Sequence, residues 1–257
     1  MKLITATILY FVLAQFYYDK ASFDNKINIE TIQLCHFTTD YDPDYSQIFK
    51  YEYPVALELL KQNVKLFNTT FSTYKIDTAL AVSIVFPEFI RFSNYKDILE
   101  THSLEVIYVN LGKEYIDFSI GLMQMKPSFA EKLENYIENS VKLSVKYSFL
   151  TNYSSSSEKE IRAERISRLK SVQWQMFYLC SFCDVVSDRF SHAVFISKAA
   201  KIKFYATAYN CDFLSSQEKI NKQINLRYFP YGKNWVMPQY AYSEVAAHFY
   251  LHYYSQI

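Results

Sequence analysis

From Pro54 onward, apolar side chains recur at helical spacing. Leu57, Leu60, Val64 and Phe67 fall on one face of PVALELLKQNVKLFNTTF, and Pro54 suits a first helical turn, whose N–H groups have no partner within the helix. Asp77 stands where an N-cap belongs, before TALAVSIVFPEFIRFS, which is apolar on nearly every face. Between Glu100 and Tyr115 the pattern is mixed and suits a helix ending near Asn110-Leu111-Gly112. Pro127 opens PSFAEKLENYIENSVKLS, and a long stretch from Glu158 to Val186 is polar and basic first, then apolar. Ile196 to Tyr209 and Tyr242 to Tyr254 complete the helical segments. The stretch from Ser22 to Tyr53 is irregular, with a turn at 38–44, and Tyr228 to Pro238 is loop-like. Ser154 to Ser157 predicts a flexible loop near 152–158 rather than a linker. The pattern predicts about seven to nine helices in a mainly α, compact single domain with little or no sheet.

Composition narrows the function classes. Three glycines in 257 residues argue against phosphate-cradling glycine loops and against a β fold rich in tight turns. Lys and Arg number 27 against 26 Asp and Glu, so no strong field attracts nucleic acid or an anionic membrane. The 18% of aromatic residues suits a groove that stacks on sugar rings; a base-composition bias that fills the surface with tyrosine explains it equally well.

The N-terminus reads Met1-Lys2, an apolar run from Leu3 to Ala14, then Gln15, with Val12 and Ala14 at the positions a signal peptidase prefers. Residues 1–14 therefore predict a signal peptide and residues 15–257 an exported domain, periplasmic or in the cell envelope. The run is shorter than the roughly 20 residues a spanning helix needs, so no transmembrane span is expected in the mature chain. A buried first helix is the other reading of the same run. Export permits disulfides among Cys35, Cys180, Cys183 and Cys211, in a connectivity that sequence does not give. The lone Cys180-x-x-Cys183 lacks the second pair or histidines of a zinc site, so core cysteines are expected. Cys35-His36 and the His248/His252 pair, with no acidic ligand nearby in sequence, are read as structural. No metal and no cofactor is predicted.

One ionisable side chain stands out. From Thr78 to Ile90 only Glu88 can carry charge, among Leu80, Ile84, Val85, Phe86 and Phe89. Loss of water disfavours its ionised form, raises its pKa and leaves it a proton to donate near neutrality. A glycosidic oxygen needs such a donor, because a sugar alkoxide leaves poorly unprotonated. The structural alternatives are a Glu facing solvent or one paired with Arg91.

Three segments occur in an order similar to that of the soluble lytic transglycosylases and goose-type lysozymes. Ile84 to Ser93 (IVFPEFIRFS) resembles the helix carrying that family's catalytic Glu. Ile120 to Ala130 (IGLMQMKPSFA) resembles its G-L-M-Q-x-x-P-x-T-A segment, and Ala206 to Asn210 (ATAYN) resembles its A-A-Y-N-A-G. Tyr240 to Val245 is similar to its tyrosine-bearing closing helix, and the matches together span residues 79–250. The chain departs at Phe89, where the family has Ser, at Pro87 inside the helix, at Phe118-Ser119 and at Cys211-Asp212. The Glu88 to Gly121 interval is also somewhat long.

The resemblance implies a lysozyme-like fold and cleavage of the β-1,4 bond between N-acetylmuramic acid and N-acetylglucosamine in peptidoglycan. Glu88 would be general acid and then base, giving a 1,6-anhydro product. Gly121 would let the backbone approach the sugar, Met123 and Gln124 would line the cleft, and Tyr209 and Asn210 would face Glu88, with Tyr209 orienting the carboxyl. Met123 and Met125 as core residues, Gln124 as a helix cap and Tyr209-Asn210 as a helix end are the plainer readings. A hydrolytic muramidase would need a second carboxylate roughly 6.5–9.5 Å away, for which Asp117 and Asp212 are the candidates. A glycan-binding or envelope protein that keeps the fold without activity is the alternative from another class.

Overall fold

The computed structural model describes residues 43–94, 98–233 and 237–256. The expected signal segment, Cys35, His36 and most of the 38–44 turn lie outside these residues. Within them the chain is mainly helical, with eleven α-helices and one two-stranded sheet.

Asp44 caps the short α1 (Tyr45–Ile48), accepting the Ser46 N–H at 3.0 Å. Helix α2 (Glu52–Tyr74) begins two residues before Pro54, which lies in the first turn where no N–H is missed. It ends at Lys75 in the left-handed conformation, whose N–H closes on carbonyls of the last turn. Helix α3 (Thr78–Asn94) is the central element. Its cap is Asp77, which accepts the Leu80 N–H at 3.2 Å and also binds Lys198 at 2.8 Å, joining the start of α3 to that of the helix that begins at Lys198. Every residue from Ala79 to Ile90 is buried, Pro87, Ser83 and Glu88 included. Helix α3 runs through Pro87 as one helix.

Around α3 pack α2, α9 (Lys198–Asn210) and α11 (Tyr242–His252). Phe86 stacks on Phe249 of α11 with centroids 3.9 Å apart, and Phe89 stacks on Phe67 of α2 at 6.2 Å. Fully burying each such ring contributes about 1.5–3 kcal/mol, which is why so apolar a helix becomes the centre. A second group comprises α4 (Ile98–Leu111), α5 (Pro127–Glu138), α6 (Val141–Thr151), α7 (Glu158–Lys170) and α8 (Val172–Arg189). Arg165 of α7 locks this group, donating to both oxygens of Glu134 on α5, at 2.7 Å to Oε2, and to the Tyr108 hydroxyl of α4 at 2.8 Å. Tyr153 and Tyr178 donate to the same carboxylate, so the buried pair is fully hydrogen-bonded.

Two segments expected as single helices are divided. Ser140 starts α6, its hydroxyl accepting the Leu143 N–H, so the 127–144 helix breaks there. Ser171 is extended at φ −88°, ψ 124° and separates α7 from α8, where the pattern turns from basic to apolar. These breaks, with α1 and α10 (Gln217–Gln223), bring the helix number above the expected seven to nine. The 152–157 segment is held at Tyr153 by Glu134 and at Ser154, whose N–H and hydroxyl donate to Glu164. Strand β1 (Arg227–Phe229) pairs antiparallel with β2 (Tyr240–Ala241), which leads directly into α11. No described helix is long and apolar enough to cross a membrane.

Candidate active site

Glu88 lies at the inner end of a cavity of about 260 Å³, where α3 meets α5, the end of α9 and the turn before α5. The burial of α3 carries the carboxyl with it, and only 3% of the residue is exposed. Burial pushes its proton affinity above the ordinary carboxylate range, and the Arg91 guanidinium, at 3.1 Å, pulls it partly back. The Tyr242 hydroxyl lies between the Ile84 carbonyl, to which it donates at 2.9 Å, and the Glu88 carboxyl. Its contact with Glu88 favours the ionised carboxyl and, after Arg91, opposes the effect of burial.

Four of the six residues singled out in sequence meet at this cavity: Glu88, Gln124, Tyr209 and Asn210. Gln124 adopts φ 49° and donates to the Gly121 carbonyl at 2.9 Å, which closes the turn; the cap of α5 comes instead from Asp117, which accepts the Ser128 N–H and hydroxyl. Asn210 is exposed at the last position of α9. Tyr209 is buried beneath the cavity in a cluster with Phe129, Phe182 and Phe213. Its hydroxyl donates to the Met123 carbonyl at 2.7 Å, so it fixes the turn, and the tyrosine whose hydroxyl reaches Glu88 is Tyr242. Burial, and then the Glu88 charge, raise both phenols far above their usual range.

Gly121 and Met123 do not line the cavity. A Cβ on Gly121 would meet the Gln175 amide at 2.2 Å and the Leu169 carbonyl at 2.7 Å, and its φ is +69°. Its bareness therefore admits Gln175, whose side chain accepts the Met123 N–H at 3.0 Å and donates to the Ile120 carbonyl at 2.6 Å. Met123 is fully buried, and Met125 reaches the cavity instead.

Two lysines and two aspartates also line the cavity. Lys126 lies 3.7 Å from Asp117, and Lys132 binds Asp212 at 3.1 Å. Both candidate second carboxylates thus line the site, and both are engaged, Asp117 as a helix cap and Asp212 as an ion pair. Tyr242, Lys126 and Lys132 had no role assigned from sequence. The Tyr240 to Val245 resemblance signalled Tyr242, whereas nothing in the local pattern marks the lysines.

Cys180 and Cys183 are buried in α8 as free thiols, and Cys211 is free and exposed at the cavity rim. His248 lies 3.5 Å from Asp44, an acidic neighbour brought from far away in sequence. Among the described residues no group of three His, Cys, Asp or Glu side chains is placed to hold a metal ion. Comparison of the chain with protein-family models, with curated proteins and with solved structures finds no match. The functional reading therefore stands on the chemistry of the site and the motif resemblance.

Proposed function

We propose that the protein is a lysozyme-like lytic transglycosylase, exported to the cell envelope, that cleaves the glycan strand of peptidoglycan at the N-acetylmuramic acid to N-acetylglucosamine β-1,4 bond. The observation that carries this reading is one buried carboxyl of raised proton affinity opening on a polar cavity that Gln124, Tyr209 and Asn210 of the matched segments also line. Glu88 protonates the leaving glycosidic oxygen, and as a carboxylate it then takes the proton of the muramyl 6-hydroxyl, which attacks the anomeric carbon. One carboxyl suffices because no water is activated. The engagement of Asp117 and Asp212 favours this route over hydrolysis, in which one of them would hold the attacking water.

Purified peptidoglycan incubated with the protein tests the reading. Soluble 1,6-anhydro fragments are expected by mass spectrometry, and Glu88→Gln is expected to slow their release by about 10²–10⁴-fold. Fragments that carry an added water would assign a muramidase. The second reading, a glycan-binding protein without activity, is favoured by the Glu88–Arg91 ion pair, which gives the buried carboxyl a purely structural partner. Retention on insoluble peptidoglycan with no fragments from either form would establish it.

A further inference from the structure

Arg91 stands one helical turn beyond Glu88 on α3 and reaches back to it, with Nη1 3.1 Å from Oε2 and 3.4 Å from Oε1. Its other terminal nitrogen donates to the Pro230 carbonyl at 3.2 Å, and the guanidinium lies 5.5 Å over the Phe229 ring. A guanidinium presents its donors in a rigid fork, so fixing one side aims the other. Phe229 is buried and packs edge-on against Tyr242 at 5.6 Å. Phe229 and Pro230 do not line the cavity, yet they hold Arg91 and Tyr242, the two groups that touch the Glu88 carboxyl.

We propose that Arg91 is a positioning residue that orients the Glu88 carboxyl and sets its protonation, and that the Phe229-Pro230 turn takes part by holding the guanidinium. The use of this control in catalysis rests on the function proposed above; the control itself does not. A carboxyl in so dry a place with no cation keeps its proton too firmly to exchange it twice in one turnover. One fully surrounded by cations never holds the proton at all. Arg91 lies between these limits, with one side given to Pro230 and the other to Glu88.

The other groups facing Glu88 are Tyr242 from α11, Tyr209 from α9 and Lys126 from the turn before α5, with Asp117, Asp212 and Lys132 farther across the cavity. After burial itself, Arg91 acts most strongly on the carboxyl, ahead of Tyr242 and Lys126.

The test is a pH titration of ¹³C-carboxyl-labelled glutamate by NMR, with the Glu88 signal assigned by its loss in Glu88→Gln. In Arg91→Gln the Glu88 midpoint is expected to rise by about one pH unit or more, a tenfold change in acidity, as on loss of an adjacent cation. Arg91→Lys keeps the charge but cannot serve Glu88 and Pro230 together, so its midpoint is expected between the two and carries the test if Arg91→Gln does not fold. A Glu88 midpoint identical to the parent's in the folded variants overturns the proposal. Glycan release is followed in parallel across pH. A midpoint that moves while no form releases fragments keeps this proposal and removes the enzymatic reading; fragments released with an unmoved midpoint do the reverse.

Discussion

At the scale of single residues, Glu88 shows how burial and charge compete on one side chain. Its carboxyl gains a cation at 3.1 Å, yet the loss of water prevails and its proton is held more tightly than in the unfolded chain. A group raised in this way adds stability in full below its unfolded value, and that contribution is lost as pH rises through the folded value. Glutamine, uncharged at every pH, lacks this loss. The melting temperature of Glu88→Gln relative to the parent is therefore expected to increase between pH 4.5 and pH 8. A difference that stays flat or falls, measured by calorimetry, would show that Arg91 outweighs burial. The carboxyl's apolar surroundings were legible in sequence because every residue of α3 before Glu88 is apolar or a small hydroxyl. Tyr242 was not assigned, since it approaches from 154 positions along the chain through a contact that only folding makes.

At the scale of elements, the turn from Ile120 to Met125 departs most from its sequence reading. The Gly-Leu-Met-Gln string predicts a cleft wall, but three of its four residues do not line the cavity: Gly121 and Met123 grip Gln175 and Tyr209, Leu122 is buried, and only Gln124 reaches the cavity. Alanine at Gly121 pays about 1–3 kcal/mol for the left-handed backbone, and it also displaces the Gln175 amide. Gly232, at φ +89°, has no atom within 4 Å of such a Cβ and serves as the control. In urea unfolding, Gly121→Ala is expected to lose clearly more stability than Gly232→Ala. Equal losses, with activity falling only in Gly121→Ala, would return Gly121 to the sugar-facing role. The helix breaks at Ser140 and Ser171 were unreadable for a related reason: serine continues or ends a helix according to what its neighbours pack against.

For the whole molecule, the cavity exists because two helical groups meet. Helix α3 and its partners supply Glu88, Arg91 and Tyr209, while α5 and its preceding turn supply Asp117, Lys126 and Lys132. Asn210, exposed at the rim, contributes space rather than packing. Asn210→Trp is therefore expected to leave the melting temperature within a degree or two, as exposed substitutions do, while raising KM for soluble glycan chains several-fold. An unchanged KM would move the binding surface away from this opening. What the sequence by itself determined was the helical periodicity, the Asp77 cap and the confinement of one acid to an apolar helix, because these follow from neighbours within a few turns. Only the tertiary structure decided which face of each motif meets the cavity, which tyrosine touches Glu88 and that Arg91 is held by Pro230. Those contacts join residues 86 to 158 positions apart, and side-chain periodicity along one helix carries no information about what packs against it from another.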